Sequence, residues 1–168
     1  GYIYITGYYK SSATFGNIEL SNNWREELFI VKIDTSGNYY WAQDAGVNTS
    51  SGHTAQGYSL TLDSDLNVVL TGVESQSHTG GNTFLFIKRY NESGSMTLSL
   101  DVNDVNYYNS KVSTDTDNIY LTTTFDQEVT LGNTTLTPDG WSNNLIAKID
   151  TDGNFLWAKQ AKYNVNDC

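Results

Sequence analysis

One cysteine, Cys168, one proline, Pro138, and one methionine, Met96, are all that the 168-residue chain contains of those three residue types. A single cysteine excludes an internal disulfide framework, so stability has to come from packed apolar surface. Basic residues are scarce, 9 Lys and Arg against 19 Asp and Glu. The resulting net charge of −10 argues against nucleic acid or an anionic membrane as a partner. No apolar stretch approaches the length needed to cross a bilayer, and no membrane insertion is expected. Nor is there a 3.6-residue apolar stripe long enough to specify a helix.

Catalytic patterns are equally scarce. No Gly-x-Ser-x-Gly, His-Glu-x-x-His, P-loop or Gly-x-Gly-x-x-Gly motif occurs. The two histidines, His53 and His78, stand in Ser/Thr/Gly-rich segments without a nearby acid or cysteine pattern and read as surface residues. Glu26 and Glu27 are adjacent, but neighbours on a strand point to opposite faces, so they do not form a working carboxylate pair. The expectation is a protein that is not an enzyme, with no catalytic and no cofactor-binding residues.

What the chain has is repetition. Lys-Ile-Asp-Thr-Ser-Gly-Asn-Tyr-Tyr-Trp-Ala at 32 to 42 returns as Lys-Ile-Asp-Thr-Asp-Gly-Asn-Phe-Leu-Trp-Ala at 148 to 158. Residues 1 to 45 align with 117 to 161 without a gap, placing Ile3, Tyr4, Thr6, Gly16 and Leu20 on Ile119, Tyr120, Thr122, Gly132 and Leu136. A third copy lies between them. Asn-Val-Val-Leu-Thr-Gly at 67 to 72 answers 2 to 7, and Leu-Phe-Ile-Lys-Arg-Tyr-Asn-Glu-Ser-Gly at 85 to 94 answers 28 to 37, with a shortened connection between the two segments. The period is roughly 58 residues, slightly above that of four-stranded propeller blades.

Each copy reads as strands separated by turns. Apolar or alternating runs rich in β-branched and aromatic residues fall at 2 to 6, 28 to 33, 39 to 42, 58 to 62, 67 to 71, 84 to 90, 118 to 122, 144 to 149 and 155 to 158. The runs at 28 to 33 and 84 to 90 are apolar at nearly every position, as befits a strand covered on both faces. Between the runs stand turn sequences whose glycines, Gly37, Gly94 and Gly153, supply the positive φ that a tight turn demands. Asp34 and Asp150 open two of these turns, and Trp41 and Trp157 close the strand that follows. A tryptophan fixed in repeat register reads as sheet-to-sheet packing rather than ligand stacking, and Leu98 at that place in the middle copy suits packing.

The order Tyr-Ser-Leu-Thr-Leu-Asp-Ser-Asp-Leu-Asn-Val-Val-Leu-Thr-Gly at 58 to 72, then Leu-Phe-Ile-Lys-Arg-Tyr and a glycine turn, with Trp-Ala-Lys-Gln-Ala at 157 to 161 closing the unit, resembles the bacterial β-propeller repeats known as SBBP repeats. The resemblance covers essentially the whole chain. It implies an all-β fold, a β-propeller built from four-stranded antiparallel blades, with blade 1 at about 1–55 lacking its first strand, blade 2 at about 56–107 and blade 3 at about 108–168. Three blades do not close a ring, since closed propellers have four to eight, so a larger propeller or a tandem array is expected, continued by neighbouring segments or other copies. The resemblance also implies an exported, extracellular or cell-surface location, and it carries over no catalytic residues.

The turns starting at Asp34 and Asp150 also look like the Asp-box hairpins of sialidase propellers, where the box holds a turn away from the active site. With Asp63-Ser64-Asp65 they place oxygen ligands at alternating positions, which leaves calcium as the alternative to a purely structural turn. Sequons stand at Asn48, Asn91 and Asn133. The leading functional expectation is a structural module of a surface layer, stalk or fibre, whose partners are further propeller repeats of the same or identical chains joined at strand edges. The rival is a carbohydrate-binding or adhesion propeller in which Tyr8, Tyr9, Tyr107 and Tyr108 stack on glycans.

Overall fold

The computed structural model describes residues 1–45, 54–75, 83–103 and 105–161, with the side chains of 23–25 and 106–109 outside the description. Among the described residues there is no helix. The first sheet holds Tyr2–Phe15 (β1), Ile18–Asp34 (β2) and Tyr39–Asp44 (β3), paired in that order. The second holds Thr54–Leu62 (β4), Val68–Ser75 (β5), Thr83–Tyr90 (β6) and Met96–Val102 (β7), also in chain order. The third pairs Asn106–Thr114 (β8), Asn118–Phe125 (β9), Asn143–Asp150 (β12) and Phe155–Ala161 (β13), while Val129–Leu131 (β10) and Thr134–Leu136 (β11) form a small hairpin between β9 and β12. Every pairing is antiparallel, as short connections between consecutive strands require.

Eight of the nine runs expected from the sequence fall within strands, and the ninth, 67 to 71, begins one residue before β5. The alignment of copies is equally visible in the pairing: Lys32 opposes Trp41 and Lys148 opposes Trp157, each just before a register shift in the same place. The copies differ at the far end of the first hairpin. β1 and β2 run on as one long ribbon to the Gly16-Asn17 turn, broken by a register shift at Lys10–Ser12. In the third copy the equivalent stretch separates into the β10–β11 hairpin. In both, the tip glycine comes to rest on an aromatic of the last strand, Gly16 on Tyr39 and Gly132 on Phe155. The middle copy's shortening falls between β5 and β6, outside both strands.

The sheets pack in succession. One apolar cluster joins Leu28 and Ile30 of the first sheet to Val68, Leu70, Phe86 and Tyr90 of the second. Another joins Val69, Leu85 and Ile87 of the second to Val112, Leu121, Leu145 and Ile149 of the third. Because side chains alternate across a strand, Phe86 and Tyr90 point one way and Leu85 and Ile87 the other. The middle sheet is therefore covered on both faces, and every residue from Val68 to Glu74 is buried. The third sheet shows the contrast, since β12 alternates buried and exposed residues along Asn143 to Ile146 and beyond, with one face toward the second sheet and the other toward solvent.

β4 lies beside β1 and β2 on one side and β8 on the other. The approach is close enough to require glycine at Gly57 and at its cross-strand partner Gly72. A β-carbon on Gly72 would overlap the Gln56 carbonyl oxygen and stand 2.6 Å from the Phe86 ring. Gly72→Ala is expected to lower stability by about 2 kcal/mol or more through overpacking. Gly140→Ala, with nothing within 4 Å of the added carbon, should leave the thermal midpoint nearly unchanged. Equal melting temperatures for the two variants would contradict the close approach at Gly72.

Candidate functional site

Five turns share one design. In the first, Asp34 Oδ1 accepts hydrogen bonds from the Ser36 and Asn38 amides at 2.8 and 2.9 Å, and Asp34 Oδ2 accepts from Asn38 Nδ2 at 2.8 Å. Asp63 binds Asp65 and Asn67 in the same way, and Asp150 binds Asp152 and Asn154. Asn91 replaces the carboxylate with its amide oxygen, accepting from the Ser93 and Ser95 amides. Asp115 holds a turn one residue shorter and also accepts from the Tyr120 hydroxyl at 2.7 Å. These are Asx turns, in which a side chain substitutes for a backbone acceptor. The side-chain bond from Asn38 lowers the Asp34 pKa, that from Asn154 lowers Asp150, and the Tyr120 and Asn118 bonds hold Asp115 well below the ordinary carboxylate range.

Of the carboxylates that the sequence offers as calcium ligands, those of Asp34, Asp63 and Asp150 thus face their own turn amides. Among the described residues no group of three or more His, Cys, Asp or Glu is arranged to hold a metal. Gly37, Gly94 and Gly153 take φ of 86°, 88° and 91° in these turns. In the β4–β5 turn the same place is filled by Leu66, an exposed non-glycine residue at φ 63°, a conformation that strains a side chain with a Cβ.

The turns do more than reverse the chain. Trp41 Nε1 donates to the Glu92 carbonyl oxygen at 3.1 Å, and Lys32 Nζ donates to the same oxygen at 3.2 Å and to Glu92 Oε1 at 3.1 Å. Gln43 Nε2 donates to the Gly94 carbonyl, and Gly94 lies flat against the Trp41 indole. The first sheet thus grips the β6–β7 turn of the second. Burial works against the Lys32 charge, but the Glu92 and Tyr4 bonds outweigh it and its pKa is raised. At the next junction Gly153 packs on Leu98, which stands where Trp41 stands in the first copy. Of the seven repeat positions singled out from the sequence, Asp34, Gly37, Gly94, Asp150 and Gly153 stand in turns, and Trp41 receives a turn 51 residues away in the chain, whereas no turn of the described residues rests on Trp157.

A polar group that the repeats did not reveal lies deeper between the first two sheets. Lys88 Nζ, fully buried, donates to Glu74 Oε1 at 2.5 Å and to the Ala45 carbonyl at 2.9 Å, and the Tyr90 hydroxyl shares that carbonyl at 3.0 Å. The signal was a lysine, beside Arg89, in a run that is apolar from Phe84 to Ile87. Near it, Tyr9 donates to Asp44 Oδ1 at 2.7 Å, and burial together with that bond raises the Tyr9 pKa. Glu27 is pushed from its ordinary 4.5 up to about 7, first by burial and then by the charges of Asp44 and Glu74, with Lys88 opposing.

The tyrosines proposed for glycan stacking stand on strands rather than loops. Tyr8 and Tyr9 lie in β1 and face opposite ways, Tyr8 to solvent and Tyr9 to the interior, while the side chains of Tyr107 and Tyr108 in β8 lie outside the described residues. Outside them too are His53, His78, Cys168 and the sequon at Asn48. Asn91 is engaged in its turn, and Asn133 is exposed at the β10–β11 tip.

Because Glu27 holds its proton more tightly folded than unfolded, the folded state binds the extra proton between pH 4.5 and 7. Stability then falls as pH rises through that window and stays lower above it. Glu27→Gln should remove this slope, raising stability at about pH 8 by on the order of 2 kcal/mol and leaving it nearly unchanged at about pH 4. Parallel pH profiles for the two proteins would refute this account of Glu27. Set against known proteins, the chain matches no protein-family model and no curated protein.

Proposed function

We propose that this chain is a non-catalytic structural module, a stretch of β-propeller with three successive blades at about 1–55, 56–107 and 108–168, exported to the cell exterior or surface. There it forms part of a scaffold, stalk or fibre. The single observation that carries this reading is the recurrence of one junction: the first sheet receives the β6–β7 turn through Trp41, and the second receives the β12–β13 turn through Leu98. A contact repeated in the same sense propagates, closing into a ring or continuing as a filament according to the rotation per step. Stacked sheets that bury apolar faces only against one another are how propeller blades and solenoid repeats gain stability. The resemblance to SBBP repeats and the net charge of −10 support the exterior location.

Its partners in this reading are further repeats of the same or identical chains. β1 is an unpaired sheet edge among the described residues, at the place where β5 and β9 pair with β4 and β8. It can accept a strand. This reading needs no metal in the acidic turns, since the Asp34, Asp63 and Asp150 carboxylates accept hydrogen bonds from amide donors of their own turns.

A glycan-binding role is the second reading, favoured by the exposure of Trp141, 97 % accessible, and of Tyr8 and Tyr40. Electron micrographs of concentrated protein are expected to show rings or linear arrays, and a glycan array to give no specific signal. Specific glycan binding abolished by Trp141→Ala, in a protein that stays dispersed, would overturn the scaffold reading.

A further inference from the structure

The two end sheets carry the halves of the junction that joins the first sheet to the second. The receiving half consists of Tyr4, Lys32 and Trp41, with the Tyr4 and Trp41 rings 6.0 Å apart at 56° and Lys32 Nζ 5.6 Å from the Tyr4 ring. In the third sheet Tyr120, Lys148 and Trp157 repeat it, with rings 6.4 Å apart at 56° and Lys148 Nζ 5.7 Å from Tyr120. In the first sheet this set holds the carbonyl of Glu92; in the third, no turn of the described residues rests on it and Trp157 Nε1 makes no hydrogen bond among them. The inserted half is also duplicated. The turn at Asp34–Asn38 closes with Asp34 N to Asn38 O at 3.0 Å and Gly37 N to Asp34 O at 3.1 Å, against 2.9 and 2.9 Å for the Asn91–Ser95 turn that is inserted. Gly37 has open space where Gly94 meets an indole.

The flanking apolar surfaces match as well. At the first junction Ile30 packs with Val68 and Leu70. Ile146 occupies the position of Ile30 on the outer face of the third sheet and is 39 % exposed, while Ile3 and Ile5 occupy the positions of Val68 and Leu70 on the outer face of the first and are 46 % and 42 % exposed. Unpaired apolar faces of this kind mark interaction surfaces.

We propose that the outer face of the third sheet, centred on Trp157, Lys148 and Tyr120, is a receptor for the Asp34–Asn38 turn of a second copy of this chain. The Thr35 carbonyl takes the place of the Glu92 carbonyl between indole N–H and ammonium, and Gly37 lies on the Trp157 ring. This rests on the scaffold reading and gives it a specific contact. The contact is heterologous, so each copy offers one receptor and one turn and association is not limited to pairs. Thr35 lacks the carboxylate with which Glu92 pairs with Lys32, so the contact between copies is weaker than the one within the chain. With a net charge of −10 on each copy, added salt strengthens it.

Sedimentation velocity of the full chain over a concentration series tests this, with two variants that each disable one half. Trp157→Ala removes the receptor, and Ser36→Arg blocks the exposed tip of the turn. Wild-type protein is expected to grow beyond dimers as concentration rises, and more so at higher salt. Each variant alone should associate at least tenfold more weakly, with its melting transition retained. An equimolar mixture of the two should form dimers and nothing larger, because only one productive pairing remains. If Trp157→Ala fails to fold, Lys148→Glu replaces it in the mixing experiment. Assembly that persists in both variants overturns this contact while leaving the scaffold reading in place. Wild-type protein that stays monomeric to about 1 mM, weaker than any useful affinity, overturns both.

Discussion

The second sheet's two apolar faces are the constraint from which the rest follows. From Val68 through Glu74 and from Phe84 through Lys88 every residue is buried, which no single hydrophobic layer can achieve for a sheet. The sheet needs a neighbour on each side. Leu28 and Ile30 supply one and Leu145 and Ile149 the other. With no helix among the described residues and no disulfide pairing open to a lone cysteine, these two interfaces carry the stability. Close packing makes them specific: a β-carbon has no room at Gly57, against Thr6 and Leu28 of the first sheet, or at Gly72, against the Gln56 carbonyl and Phe86.

Polar groups set the register that apolar contact alone would leave loose. The grip of Trp41, Lys32 and Gln43 on the β6–β7 turn fixes how far the second sheet slides against the first. Lys88 does the same deeper in the interface, where its ammonium meets Glu74 and a carbonyl from the end of β3. Two buried charges lose several kcal/mol of hydration each, so such a pair contributes little net stability, whereas removing one partner costs about 3–5 kcal/mol. Its value lies in excluding alternative stackings. Beside it Glu27 remains an acid under strain, which ties the stability of this junction to pH.

Much of this was legible in the sequence. Repetition of Lys-Ile-Asp with a glycine turn and a tryptophan located the strands, and the apolar run at 84 to 90 announced burial on both sides, whereas Phe29 and Ile33 in the run at 28 to 33 are only half-buried because the first sheet has a neighbour on one face alone among the described residues. The turn chemistry of Asp34 and Asp150 was readable because it is local. What Trp41 touches was not, since its partner is a turn in the next copy and the pairing depends on how one sheet rotates onto another. Lys88 looked like a lapse in an apolar run, and only the folded chain brings Glu74 and Ala45 to it. The long β1–β2 ribbon escaped because residues 7 to 27 mix polar and apolar positions without clean alternation. Leu66 gave no warning of its positive φ, because propensity places glycine or asparagine there.

The central claim is that the sheets stand or fall together because the middle one cannot stay folded without both neighbours. Native-state hydrogen exchange tests it most directly. The slowest amides of β2, β5, β6 and β12 should share one opening free energy, equal to that of global unfolding. If β12 and β9 exchange through an opening that leaves β5 and β6 protected, the third sheet is dispensable and the claim is wrong.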